Sequence, residues 1–373
     1  MAVIGGGIVG AASAAYLAEA GLSVALFEQT ELAAGASGRN SGAIQRPGDG
    51  SLAKLQERSV HLYRELAGSD DELSLADDPA GLLIVSPDGE ALALVTARLS
   101  IEHPGLHPQL FWAGDPYLRD SGLAPDVGAC RLDDAYPVAP AVTTLAFARR
   151  AVRAGVSITV GERAVPEVAD RTVVGVRIAS GNLILAGRVL VAAGPWTPSL
   201  VPGWATQPPI TSSWGVVVGT SLPSPPRPVL EEFGIEAHGG PLDMLFSLVS
   251  SGGASSVGST FLPERPDADA LASSILERAA RFVPALAAAP TESIRLCARP
   301  VSFDGRPLIG RVPEFERLFV CAGHGPWGIS TGAASARLVA DLMVADLMLD
   351  TAEVPPEFDP ARWRPQDVAA APR

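Results

Sequence analysis

The chain has three cysteines in 373 residues, Cys130, Cys297 and Cys321. They are scattered, with no CxxC and no Cys/His cluster, so neither a disulfide framework nor a metal site is expected. Basic residues are outnumbered: 28 Lys plus Arg face 41 Asp plus Glu, a net charge of −13. Without a cationic excess to neutralise phosphates, a nucleic-acid partner is not expected. No apolar run approaches ~18 uninterrupted residues, which argues against a membrane span. No basic segment precedes an apolar one at the start, so no signal peptide is read and a cytoplasmic location fits. Lysine is nearly missing, with Lys54 alone. There is no Ser/His/Asp order, and no carboxylate pair sits at a spacing that suggests acid–base catalysis.

What is present reads as a folded protein: 47% hydrophobic and 18% charged residues match an ordinary globular composition. The length favours two domains. The chain opens on AVIGGGIVGAASAAYLAEAGLSVALFE. Residues 2–4 form a short apolar strand, and 5–10 a GxGxxG turn. Residues 9–20 follow as an Ala-rich helix that stops at Gly21, and 22–27 as a second strand ending in Glu28. Only four residues precede the turn, short for a buried strand, which points to a natural start upstream. Strand, glycine turn, helix and terminal acid together make the dinucleotide-binding fingerprint. Gly5 allows the tight turn, Gly7 lets the backbone approach a pyrophosphate, and Gly10 lets helix and strand pack closely. Glu28 can accept bonds from both ribose hydroxyls. A ligand-free packing turn is the alternative.

An NAD domain continues at once with further βαβ units; this chain does not. Residues 35–51 form a polar, glycine-rich loop, and 52–66 an amphipathic helix. A strand over 81–85, a helix over 89–101 and an irregular stretch over 104–134 come next. A helix and strand follow over 135–160. Residues 173–196 read as a hairpin and then a buried strand, 189–193, ending at Gly194. Alternating apolar patterns over 209–262 are the language of an antiparallel sheet, and 268–283 read as a helix. Near the end, residues 318–321 form a strand, AGHGPWG a tight loop and 329–347 a helix. That second glycine loop feeds a second helix N-terminus. One positive pole suits a pyrophosphate, and the other suits the pyrimidine end of a flavin, where negative charge develops on reduction.

Six blocks in this order resemble the superfamily of D-amino acid oxidase, glycine oxidase and sarcosine oxidase: VIGGGIVG with Glu28, GASGRNSG, AVTTLAFARRAVRAGV, VLVAAGPW, SVGSTFLP, and RPVSFDGRPLIG followed by AGHGPWGIS. The resemblance spans nearly the whole chain. It implies an α/β fold in which a Rossmann-like FAD-binding domain of the glutathione-reductase type (1–50, 138–207 and 296–373) is interrupted by an antiparallel-sheet substrate domain (51–137 and 208–295). It implies FAD, with Glu28 on the adenosine ribose and the Val165 backbone on adenine. Residues 37–46, including Ser37, Arg39, Asn40 and Ser41, would lie against the isoalloxazine. Gly194 would bring bare backbone near the cofactor, and Gly323, Gly325, Gly328 and Ile329 would meet the pyrimidine edge.

Members of this superfamily oxidise a C–N bond. An amine lone pair assists hydride transfer from the adjacent carbon to flavin N5, and the imine hydrolyses. The expected substrate is a small amino acid or N-alkyl amino acid, and the electron acceptor is oxygen or another oxidant. A flavoprotein dehydrogenase subunit with a partner, a non-catalytic nucleotide-binding module and, less well matched by the charge, a tRNA-modifying relative are the alternatives; a homo-oligomer is open. Arg299 matches the arginine that holds the substrate carboxylate in the glycine oxidase branch, with Arg46 or an unplaced tyrosine as the expected helper; the alternative is a structural salt bridge. A second arginine of that branch has no counterpart in GHGPWG. Arg265 matches, loosely, a lysine over flavin N5 that assists reaction with oxygen. Cys297, seven residues before Asp304, matches the cysteine that bears a covalent flavin in the sarcosine oxidase branch; the alternative is a small buried cysteine. His324 reads as a loop residue or as a catalytic group.

Overall fold

The computed structural model describes residues 1–234, 244–348, 350 and 353–364. A six-stranded sheet forms its first half, in the order Leu308–Arg311, Leu318–Ala322, Val189–Val191, Ala2–Ile4, Ala25–Glu28, Ser157–Val160. Every neighbouring pair is parallel except the first. Side chains alternate between its faces, as the period of two in a strand requires. Val3, Leu26, Leu190 and Phe319 enter one apolar cluster; Ile4, Phe27, Val191 and Val320 enter another on the far side.

Helices cover the first face. Helix Ile8–Glu19 is buried from Ile8 to Leu17, because it is wedged between the sheet and helices Pro140–Arg153 and Gly328–Met348. Its small residues make that close approach possible. A β-carbon at Gly332 would already touch Ile8 Cγ2 at 3.1 Å. Helix Gly50–Ala67, capped by Asp49 accepting from Ser51 and Leu52 N–H, sends Leu52, Leu55, Tyr63 and Leu66 into the same cluster. Across the other face lies a three-stranded meander, Ala164–Ala169, Thr172–Ile178 and Leu183–Leu185.

The second half is an eight-stranded sheet. Its order is Ser293–Ser302, Ile210–Thr220, Ala254–Thr260, Met244–Ser251, Val229–Glu232, Leu82–Ser86, Gly128–Leu132, Gln109–Phe111. All pairs are antiparallel except Val229–Glu232 with Leu82–Ser86. Helix Ala268–Ala280 packs on one face through Ala272, Ile275 and Ala279. The stretch 104–134, read from sequence as irregular, supplies two of these strands. Both are short; they pair with each other across an irregular connection, and Gly128–Leu132 pairs also with Leu82–Ser86, so local pattern does not mark them. Strand Ser293–Ser302 runs through the boundary expected at 295/296 and pairs with Ile210–Thr220 from Ser293↔Gly219 to Ser302↔Ile210. Residues 296–302 therefore belong to the eight-stranded sheet. A bridge between Val301 and His324 ties this strand to the last glycine loop.

Candidate active site

Four parallel strands of the six-stranded sheet end at one cavity. Gly5 follows the first, Glu28 closes the second, residues 192–194 follow the third, and Cys321 and Ala322 close the fourth. Residues 296–300 of strand Ser293–Ser302 form the opposite wall. The cavity measures about 980 Å³, the upper end of the ~300–1,000 Å³ usual for small-molecule sites. A crevice at the carboxyl ends of parallel strands is where open α/β sheets take their ligands.

Helix Ile8–Glu19 opens onto this crevice. Its N-cap, Gly7, brings no capping side chain, and Ser37 Oγ accepts from Ile8 N–H at 3.0 Å. The positive pole of the helix thus faces the cavity, a ready site for phosphate. Gly5 has φ +114°, and a β-carbon there would lie 2.8 Å from the Ala192 carbonyl carbon; glycine alone suits this turn. Glu28 holds the turn from outside. Its Oε2 accepts from Gly6 N–H at 2.7 Å, and its Oε1 from Thr30 N–H and Oγ1 at 2.9 and 3.0 Å. Two carboxylate oxygens offer about four acceptor sites and these three bonds use three of them, so room remains for one ribose hydroxyl. Arg163 and Ala164 line the cavity at the same end, beside Glu162, whose N–H donates to the Glu28 carbonyl at 3.0 Å.

At the other end lie Arg39, Cys297, Arg299, His324, Gly325, Gly328 and Ile329. Asn40 also lines the cavity, but its side chain serves the loop. Nδ2 donates to the Ala36 and Ser37 carbonyls, and Oδ1 accepts from Gly42 N–H. Arg299 is half-buried. Nη1 donates to the Thr260 carbonyl at 2.8 Å, Nη2 donates to Ser259 Oγ, and the guanidinium lies 4.5 Å from the Phe261 ring centre. No carboxylate among the described residues pairs with it. Burial lowers its pKa, with Cys297 opposing, yet a guanidinium stays charged. A half-buried cation without a counter-ion, on a cavity wall, is a site for an anionic group. His324 is buried, and burial pushes its pKa down to about 4; its Nε2 has no partner among the described residues. The imidazole is therefore neutral near pH 7.

The family model of FAD-dependent oxidoreductases matches residues 1–342. The chain belongs to this family. Its cofactor is FAD. A glycine oxidase of Bacillus licheniformis is 26% identical over 363 residues, covering 92% of each chain. Among solved structures, glycine oxidase from Bacillus cereus superposes with a TM-score of 0.81 at 24% identity, over 92% of this chain and 94% of that one. Iminodiacetate oxidase from Chelativorans sp. reaches 0.82 at 22%, over 96% and 98%. The Rossmann-like FAD fold expected from the sequence is the fold of these neighbours.

Some expected residues of this flavoprotein stand off the cavity. The Arg46 guanidinium is held by Glu57, and the Arg46 backbone N–H donates to Asp134 Oδ2 at 2.8 Å; Arg46 is absent from the lining, as is Ser41. Val165 lies one residue beyond Ala164, the last of its segment to line the space, and Gly323 sits behind His324 against Ser302 and Ile210. Gly10 acts from beneath, against Gly5. Gly7, Gly194 and Arg265 do line the cavity, and the Arg265 guanidinium lies 5.8 Å from the Trp214 ring centre. Sequence reasoning missed Trp196, Trp214 and Arg163. Trp196 was within reach, two residues after Gly194; Trp214 depends on a strand register that no local pattern gives. No described helix is long and apolar enough to cross a membrane.

Proposed function

We propose that this enzyme oxidises the C–N bond of a small carboxylate-bearing amine, an amino acid or N-alkyl amino acid. The observation that carries the reading is Arg299. It presents a charged fork to the cavity from a strand facing the last glycine loop, and no described acid neutralises it. A planar guanidinium binds a carboxylate bidentately and so fixes the carbon beside it. The glycine oxidases among the relatives support this substrate class.

The cavity also fits FAD. The positive pole of helix Ile8–Glu19 would hold the pyrophosphate, Glu28 the ribose, and the backbone of Gly325, Gly328 and Ile329 the flavin end. When bound, FAD supplies the two-electron acceptor for the C–N bond. The chain's own share is orientation and electrostatics: Arg299 anchors the carboxylate, and the neutral His324 takes no part as an acid near pH 7.

The electron acceptor is open to a second reading, a dehydrogenase. Lys54, the only lysine, is exposed on helix Gly50–Ala67 and off the cavity, where Arg265 stands instead. The test of the main reading is anaerobic bleaching of the flavin by glycine, sarcosine, D-alanine and proline, set against methylamine and dimethylamine. The amino acids should bleach it and the carboxylate-free amines should not. Equal bleaching by both sets would overturn the reading.

A further inference from the structure

Strand Ile210–Thr220 is eleven residues long and pairs with Ser293–Ser302 through ten successive positions. Gly215 sits inside it, opposite Cys297. Glycine weakens a strand interior, because it has no side chain to pack and much chain entropy to lose. Its presence here is not explained by the backbone, since φ at Gly215 lies outside the left-handed range. Space explains it. A β-carbon at Gly215 would lie 2.5 Å from Arg299 Nη1 and 2.6 Å from Cζ, with Nη2 closer still. Residues two apart on a strand share a face, and so do directly opposed residues of an antiparallel pair, so Arg299 (opposite Ser213), Cys297 and Gly215 stand on one side of the sheet. The guanidinium crosses diagonally over Gly215 to reach Ser259 and the Thr260 carbonyl on the next strand.

We propose that Gly215 is a positioning residue for the substrate carboxylate: its bare backbone opens the slot in which the Arg299 guanidinium lies, and any side chain there moves that guanidinium off its mark. The inference rests on the reading of Arg299 as the carboxylate clamp. The atoms in the way are the far end of a flexible side chain, so alanine is accommodated by displacing Arg299 rather than by breaking the sheet.

The experiment uses the FAD-loaded enzyme as wild type, Gly215→Ala, Arg299→Ala and the double variant. Glycolate affinity is read from the perturbation of the flavin spectrum, and the Gly215→Ala variant is crystallised. Gly215→Ala should weaken glycolate at least about tenfold, and the double variant should bind no worse than Arg299→Ala. The crystal should show the guanidinium withdrawn from Thr260. An unmoved guanidinium, or a penalty that Gly215→Ala adds in full on top of Arg299→Ala, overturns the inference. Wild-type affinity in Arg299→Ala, or no glycolate binding by wild type, overturns the clamp instead, and the crystal still decides where Gly215 puts the guanidinium. If Gly215→Ala fails to hold FAD, recovery of the flavin in the double variant supports the overlap, and continued loss contradicts it.

Discussion

Gly10 lies directly against Gly5: a β-carbon on Gly10 would overlap the Gly5 carbonyl oxygen and stand 3.1 Å from its carbonyl carbon. The obstacle is backbone, which cannot swing aside. Gly10→Ala must therefore push helix Ile8–Glu19 away from strand Ala2–Ile4 or unseat the turn between them. The expected cost is at least the ~1–3 kcal/mol of an overpacked core, together with loss of bound flavin. Denaturation midpoint and the flavin-to-protein absorbance ratio check this. A variant as yellow and as stable as wild type would contradict it.

That contact was legible in the sequence, because strand, turn, helix and acid follow one another within 28 residues and each has a local cause. The opposite wall was not. Arg299 was picked out by resemblance to a motif, while the reason it faces the cavity is a register between strands some 80 residues apart. Trp214 was missed for the same reason. Arg46 was misplaced because its partner, Glu57, lies beyond a turn and on a helix. A polar loop sequence does not say which of its cations are already neutralised.

His324 gives the protein an acid-sensitive stability. Its pKa is pushed from about 6.5 to about 4 by burial, so between these values the unfolded chain binds a proton that the folded one refuses. Stability is full above pH 6.5 and falls as pH drops toward 4. The loss is up to about 3 kcal/mol from this group alone. Urea midpoints measured from pH 7 to pH 4 should slope less steeply in His324→Leu than in wild type. Identical slopes would show that His324 does not titrate this way.

Cys297 lines the cavity yet is 1% exposed, and burial raises its thiol pKa against the opposing pull of Arg299, Arg295 and Arg39. A protonated thiol is a poor nucleophile, so FAD should be held without a bond to sulfur. Acid precipitation should leave the yellow colour in the supernatant. A yellow pellet that turns white in Cys297→Ser would establish the covalent link instead.

The claim on which the account turns is that Arg299 meets a carboxylate. The most direct measurement is the anaerobic rate of flavin bleaching by the best amino-acid substrate in wild type and in Arg299→Ala. Losing one member of a buried charge pair costs ~2–5 kcal/mol, about 30- to several-thousand-fold in kcat/KM. The account predicts that Arg299→Ala keeps its FAD and visible spectrum and bleaches slower by that factor. A variant that bleaches within a few-fold of wild type would contradict it.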